Sequence, residues 1–159
     1  MLKKVFVFFL ILLFFNACAI KNQNNFSQSI AITINSPFLK MSDFGFLIKE
    51  NQALNLQVYH LGQAFFNLKI KDKICLNSVC YDKRVFNKKF FKNEYYDDIL
   101  SDILNAKPLW QGKKIQKTTD GFKQNLKAKN FEIFYEVSKN KIIFFDKVSR
   151  IKIILNYQG

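Results

Sequence analysis

Apolar and polar residues alternate in short runs along most of this chain, as they do in strands with one buried face. The alternating runs cover residues 30–34, 44–48, 54–58, 64–70, 74–76, 79–81, 122–126, 131–137, 142–145 and 151–155. Short polar links separate most neighbouring runs, and links of that length join antiparallel strands. The pattern predicts a mainly β domain with an antiparallel meander of about nine strands.

The apolar spacing changes to three and four residues in the middle of the chain. The apolar pairs there are Tyr95/Tyr96, Ile99/Leu100 and Ile103/Leu104. Asn93 precedes them as an N-cap type of residue, and Pro108 follows them. This spacing predicts one main helix over about 94–105, with a further turn or two over 85–91.

The first residues are typical of a secretion signal. Lys3 and Lys4 precede an unbroken apolar run over 5–15, and Ala17-Cys18 follows it. Eleven apolar residues span only about 16 Å as a helix, which is too short for a bilayer core of about 30 Å. We expect 1–17 to be a lipoprotein signal peptide and Cys18 to be lipidated. An ordinary signal peptide with a chance cysteine is the alternative.

The remaining length suits one domain without internal repeats. The polar segment 18–29 is predicted to be a flexible tether, and 30–159 a single domain. The formal net charge is +13. Because an exported protein seldom meets nucleic acid, we expect no nucleic-acid partner, and anionic lipids or acidic proteins suit this charge better. A simple abundance of lysine and asparagine explains the charge equally well.

Phenylalanine is unusually frequent, with 19 residues. Three Phe pairs, at 65–66, 90–91 and 144–145, would place rings on both faces of a strand. A strand with one face exposed to solvent should instead alternate apolar and polar residues. The pairs favour a sheet that lines an apolar cavity, and a loosely specified Phe-rich core is the alternative.

Two cysteines remain once Cys18 is set aside. Cys75 and Cys80 flank a predicted two-residue turn at Asn77-Ser78, which would make them cross-strand neighbours within disulfide range. An even cysteine pair in an exported protein favours a disulfide.

Residues that could support catalysis are sparse. The chain has one histidine, His60, and five glycines whose spacing forms no phosphate-binding loop. We interpret His60 as an ordinary loop residue, and Asp97, Asp98 and Asp102 as a solvated helix face. The sequence predicts a protein that is not an enzyme and that has no cofactor and no metal site.

The stretch from Leu54 to Trp110 resembles the LolB outer-membrane lipoprotein receptors. Residues 54–59 and 64–70 match two alternating strands, and His60-Leu61-Gly62 stands where the family reads Pro-Leu-Gly or similar. Tyr81-Asp82 falls near a short polar strand end, and the predicted helix and Lys107-Pro108-Leu109 match a helix before a proline-containing loop. Residues 130–137 and 142–155 are similar to the last strands of the family.

The resemblance implies an incomplete antiparallel β-barrel with a helical lid over an apolar cavity. The lid residues would be Ile99, Leu100, Ile103 and Leu104. The membrane-insertion loop would be Leu61-Gly62, and we expect Leu61 to be exposed to solvent at the tip of this link between two strands, because Gly62 can adopt a tight-turn conformation. A Leu61 that folds inward as part of the core is the alternative. Such a protein accepts lipoproteins from a periplasmic LolA-like carrier, binds their acyl chains, and inserts them into the outer membrane from its periplasmic face. We expect this function for the chain. The alternative is a structural or assembly lipoprotein of the outer membrane that binds a protein partner.

Overall fold

The computed structural model describes residues 26–50 and 52–158. Within these residues the chain forms eleven strands in one antiparallel sheet. Their bounds are β1 Phe26–Asn35, β2 Lys40–Glu50, β3 Ala53–His60, β4 Gln63–Ile70, β5 Ile74–Leu76, β6 Val79–Tyr81, β7 Ile115–Lys117, β8 Phe122–Ala128, β9 Phe131–Ser138, β10 Lys141–Asp146 and β11 Ile151–Tyr157. Two helices, α1 (Lys83–Phe91) and α2 (Ile99–Leu104), and a 3-10 turn (Leu109–Gly112) lie between β6 and β7.

The order of strands in the sheet is β6-β5-β4-β3-β2-β1-β11-β10-β9-β8-β7. The first and last strands of the domain, β1 and β11, pair in the middle, with Ile32 opposite Leu155. The edge strands β6 and β7 have three residues each and do not pair with one another. The described chain is therefore mainly β, with an open sheet, as the sequence predicted in outline.

Two glycines allow neighbouring strands to approach closely. A Cβ at Gly45 in β2 would lie 2.2 Å from the carbonyl oxygen of Gln57, and one at Gly121 would lie 1.9 Å from that of Val137. A side chain at either position would push the partner strand away. Glycine in a strand commonly marks such a close approach.

One face of the sheet is buried and carries the alternating apolar residues. Ile30, Ile32 and Ile34 of β1 are at most 4 % exposed, and Leu56, Phe144 and Leu155 on other strands are equally buried. Both helices add their apolar residues to the same core. The aromatic ring of Phe91 in α1, for example, lies 5.7 Å from that of Phe144 in β10. The helices therefore cover this inner face of the sheet.

Because the strands are antiparallel, the sheet has two ends, which we call the tip end and the base end. The tip end carries the connection between β1 and β2, the turns β3–β4 and β5–β6, and the turn β10–β11. The base end carries the turns β2–β3, β4–β5 and β9–β10.

Several predicted boundaries differ from the structure. The sheet has eleven strands rather than about nine, and β7 was missed because its three residues are all exposed and show no alternation. Strand β1 begins at Phe26, inside the segment predicted as a tether, because 26–29 already pair with β2. The signal peptide 1–17, Cys18 and the rest of the tether up to residue 25 lie outside the described residues.

The predicted main helix over 94–105 is wrong in its first half. Only Ile99–Leu104 is helical, and the longer helix is α1. The buried Asn87 of α1 donates hydrogen bonds to the carbonyl oxygens of Tyr96 and Asp97, both at 3.0 Å. Asn93 is not an N-cap, because its side chain exchanges hydrogen bonds with Asn130. These tertiary bonds hold 93–98 in a non-helical path.

The Phe pairs of the strands place rings on both faces, but the outward rings face solvent rather than an apolar cavity. Phe90-Phe91 lies in α1. In the strands, one member of each pair is buried and the other points outward, with Phe66 5 % exposed and Phe65 54 % exposed. The register of β3 and β4 shifts beside Phe65, so this residue is extra in β4 and turns out of the core.

Two buried tyrosines allow a matched test of how polar groups in this core affect stability. Tyr135 is fully buried, and its hydroxyl has no hydrogen-bond partner among the described residues. The hydroxyl of Tyr95, 4 % exposed, donates to the buried carboxylate of Asp146. We expect Tyr135→Phe to leave the free energy of unfolding unchanged or to raise it by up to about 1–2 kcal/mol. Tyr95→Phe should lower it by about 1.5–3 kcal/mol, because a hydrogen bond to a charged group is lost. Urea unfolding at pH 7 measures both.

The Tyr135→Phe variant should also differ from wild type in how its stability changes at alkaline pH. Burial raises the pKa of the Tyr135 hydroxyl, so it keeps its proton in the fold when unfolded tyrosine ionises near pH 10. The unfolded state then binds fewer protons, and stability falls as pH rises above about 10. Tyr135→Phe should make this fall shallower by about 1.4 kcal/mol per pH unit. A larger loss of stability in Tyr135→Phe than in Tyr95→Phe would contradict an unpaired hydroxyl at Tyr135 and a hydrogen-bonded one at Tyr95.

Candidate functional site

The turn between β3 and β4 presents an apolar residue to solvent at the tip end. Leu61 is 92 % exposed, and both Leu61 and Gly62 have positive φ, at 49° and 78°. A leucine in this backbone region is uncommon, whereas glycine adopts it readily. The turn projects the leucine side chain away from the core, which agrees with the exposure expected from the sequence.

Aromatic residues surround this turn on the outer face of the sheet. Phe44 is 67 % exposed and lies opposite Tyr59 in the β2–β3 register. The ring of Tyr59 lies 5.9 Å from that of Phe46, and the ring of His60 lies 6.2 Å from that of Phe65. The sequence resemblance singled out Leu61 and missed these neighbours, although the outward positions of β2 could have indicated them.

An apolar cavity lies under the helices, toward the tip end. Its twelve lining residues are all apolar: Ile34, Phe38, Leu39, Leu56, Phe66, Leu68, Leu76, Phe86, Phe90, Leu100, Leu104 and Ile153. Its volume is only about 10 Å³. That is about the space that a single water molecule needs, so side chains nearly fill the interior.

Phe38 lies at the place where this cavity reaches the surface. It is 46 % exposed, and its ring lies 6.4 Å from those of both Phe86 and Phe90 in α1. The buried hydroxyl of Ser36 accepts hydrogen bonds from the backbone N–H groups of Phe38 and Leu39 and fixes this connection. Phe38 could not be selected from the sequence, because a lone Phe after Pro37 shows no periodicity.

The four predicted lid residues lie together on α2, and all are buried. Ile99, Leu100, Ile103 and Leu104 are 0–3 % exposed. Only Leu100 and Leu104 line the apolar cavity, and Phe86 and Phe90 of α1 line it beside them. Helix α1 thus covers the cavity as much as α2 does, which the sequence analysis did not anticipate.

Polar contacts attach α1 to the segment that follows it rather than to the sheet. Lys83 pairs with Asp98 at 2.6 Å, Arg84 with Asp97 at 3.6 Å, and Lys88 with Glu94 at 2.6 Å. Among the described residues no α1 side chain hydrogen-bonds to a strand. Apart from Lys89, whose ammonium group lies 4.7 Å from the centre of the Tyr81 ring in β6, the described contacts of α1 with the sheet are therefore apolar and non-directional.

The cysteine pair forms the expected disulfide. Cys75 and Cys80 are bonded across the β5–β6 hairpin and lie opposite one another in its register. Asn77 and Ser78 both have positive φ, as a tight two-residue hairpin turn requires. The bond closes the hairpin at the edge of the sheet, and Leu76 beside it lines the apolar cavity.

Of the residues weighed for catalysis, His60 lies apart from the three aspartates. His60 is exposed, with Nδ1 3.2 Å from a carboxylate oxygen of Asp43 at the tip end. Asp97 and Asp98 are exposed and form ion pairs with α1. Asp102 differs from the expected solvated face, because it is partly buried and accepts a hydrogen bond from Tyr96 at 2.9 Å. Burial raises the pKa of this carboxyl group.

Within residues 26–50 and 52–158 no group of three or more histidine, cysteine or acidic side chains is placed to hold a metal ion. None of the helices described there has the length and apolarity needed to span a membrane.

Comparison with known proteins identifies no family for the chain. No protein-family model matches it, and a search of curated proteins finds no match. The resemblance to the LolB receptors therefore stays a prediction from the sequence.

Proposed function

We propose that this chain is a lipoprotein anchored through Cys18 at the periplasmic face of the outer membrane. In this proposal it accepts lipoproteins from a LolA-like carrier and inserts them into the membrane. The observation that carries the proposal is the tip end of the sheet. There an almost fully exposed leucine and the surface opening of an all-apolar cavity share one end of the domain. The chemistry is transfer between apolar sites, with no covalent step.

The cavity must open before it can hold cargo. Acyl chains need a water-free site because each exposed CH₂ group costs about 0.8 kcal/mol, and the present volume of about 10 Å³ excludes them. Phe38, Phe86 and Phe90 fill the position where an acyl chain would lie. In the proposed cycle these rings move aside, and the acyl chain replaces their contacts with the strands.

The attachment of α1 suits such a movement. Its contacts with the inner face are apolar, so replacing aromatic rings with an acyl chain leaves no buried polar group unpaired. Its ion pairs run to the exposed side chains of Glu94, Asp97 and Asp98, so water can replace them when the helix moves. Tyr95 and Asn93 remain bound to the β10–β11 and β8–β9 turns, and this end of the segment would act as the hinge.

Leu61 would guide the tip end into the bilayer. Burying one leucine in lipid gains about 1.5–3 kcal/mol, which biases the docking of a tethered protein without anchoring it. Phe44, Phe46 and Phe65 beside the turn would add apolar and aromatic area at the interface. Release of cargo would then occur where the cavity faces lipid.

A second candidate function is supported by the packed interior. A scaffold that binds a protein partner needs no lumen, and side chains nearly fill this one. In that case the exposed aromatic residues around Leu61 would contact a protein rather than lipid. The predictions below separate the two functions.

The proposed lipid anchor is tested by replacing Cys18. We expect wild-type protein to incorporate a fatty-acid probe during growth and Cys18→Ala to incorporate none, because the thiol is the attachment point. Cys75→Ala/Cys80→Ala is the matched control and should keep the label. Equal labelling of Cys18→Ala and wild type would refute the anchor.

Leu61→Glu should separate a membrane role from a structural one. Because Leu61 is 92 % exposed, the melting temperature should stay nearly unchanged. Transfer of a triacylated lipoprotein from its carrier to liposomes should slow at least about tenfold, as a loss of 1.4 kcal/mol or more in docking implies. Val85→Glu replaces another exposed aliphatic residue, on α1, and should transfer normally. Full activity of a stable Leu61→Glu protein would remove the proposed role of the turn.

Phe38→Asp tests the cavity opening. A carboxylate at this half-exposed position should weaken binding of a fluorescent 16-carbon fatty acid at least about tenfold, because the charge faces the apolar site, while the fold remains intact. Phe145→Asp, which changes a 37 % exposed ring on the outer face of β10, should bind like wild type. If wild-type protein binds no fatty acid, the acceptor function is wrong and the protein-partner function stands.

A further inference from the structure

A second and much larger concave site lies at the base end, away from Leu61 and the apolar cavity. This groove has a volume of about 920 Å³ and lies between the β2–β3 and β4–β5 turns, α2, and the segment that leads to β7. Five lysines and two aspartates line it: Lys49, Lys71, Lys83, Lys107, Lys113, Asp98 and Asp102. Its size is that of a typical small-molecule site.

The positive charge of the groove is incompletely neutralised. Lys83 is paired with Asp98. In contrast, Lys49, Lys107 and Lys113 have no ion-pair partner among the described residues. Burial of its ammonium group and then the charge of Lys107 lower the pKa of Lys49. Lys49 and Lys107 thus repel one another across a partly buried groove, and Lys107 also attracts the carboxylate of Asp102 there. An anion bound between the two lysines would relieve the repulsion that remains.

The segment 105–114 is held in an unusual conformation where it borders the groove. Ala106, Trp110, Gln111 and Lys114 all have positive φ, between 44° and 56°. This backbone conformation is unfavourable for non-glycine residues and persists only where the surroundings impose it. Clusters of this kind are found at binding sites more often than elsewhere.

Gln124 imposes this conformation from inside the core. It is fully buried and exchanges two hydrogen bonds with the backbone of Leu109, at 2.7 and 2.9 Å. A third bond, at 2.7 Å, runs to the carbonyl oxygen of Lys113. Trp110 packs on Tyr96, with ring centroids 5.1 Å apart, and both rings line the groove. The lysines of this segment are thus held on a fixed backbone.

We propose that this groove binds a phosphate group through the ammonium groups of Lys49, Lys107 and Lys113, with Tyr96 and Trp110 packing against the rest of the ligand. Lysine binds phosphate as a point charge, and a multiply charged anion matches three cations that line one groove better than a single carboxylate does. The phosphate can belong to a lipid headgroup or be free in solution. The site does not depend on the proposed acceptor function, because it uses neither Leu61 nor the apolar cavity.

The test uses the full chain in micelles of an uncharged detergent. Isothermal titration calorimetry is carried out with inorganic phosphate and, separately, with dihexanoyl phosphatidylglycerol, while dihexanoyl phosphatidylcholine serves as the zwitterionic reference. The groove variant is Lys49→Gln/Lys107→Gln. The control variant, Lys129→Gln/Lys139→Gln, removes the same charge from two exposed turns outside the groove. Thermal unfolding verifies that both variants are folded.

We expect the groove variant to bind at least tenfold more weakly than wild type and the control variant to stay within about twofold. Binding of inorganic phosphate would identify a free phosphate as sufficient, and binding of phosphatidylglycerol alone would identify a lipid headgroup. An equal loss in both variants would overturn the proposal in favour of general attraction to a basic protein. Absence of binding of either probe to wild type would also overturn it.

Discussion

An open sheet exposes its apolar inner face to water unless another part of the same chain covers it. Here the strands β6 and β7 do not meet, and the inner faces of all the longer strands carry isoleucine, leucine and phenylalanine. Two short helices supply the cover, α1 through the buried Phe86, Phe90 and Phe91 and α2 through its four buried aliphatic residues. Each such side chain contributes about 1.5–3 kcal/mol when buried. Neither helix is long enough to be stable alone, so helices and sheet depend on one another.

A few buried polar residues determine where that cover lies. Asp146 accepts hydrogen bonds from Tyr95 and from the backbone N–H groups of Glu132 and Val148. Asn87 holds the segment between the helices, and Gln124 holds the one after them. Each occupies a position where an apolar residue could have packed. Their hydrogen bonds are directional, so they select one path for irregular backbone that apolar packing alone would leave undefined.

The two ends of the sheet differ in chemistry because their turns carry different side chains. The tip end carries apolar and aromatic side chains around a tight turn, next to an apolar interior. The base end carries lysines on turns that border a wide groove. A protein that works against a membrane can use both, since lipid offers an apolar interior and an anionic surface. The proposed acceptor function uses the tip end, and the proposed phosphate site uses the base end.

The alternation of apolar residues by itself determined most of the strands, because local periodicity reports which face of a strand is buried. The spacing of Cys75 and Cys80 around a two-residue turn likewise determined the disulfide, and Gly62 beside Leu61 indicated the exposed turn. The tertiary structure decided the path of 93–98, because the bond from Tyr95 to Asp146 joins residues 51 positions apart. It also decided that the interior is nearly filled and that a groove exists at the base end. Those features depend on the distance between surfaces brought together by the fold, and the order of residues along a chain does not contain that distance.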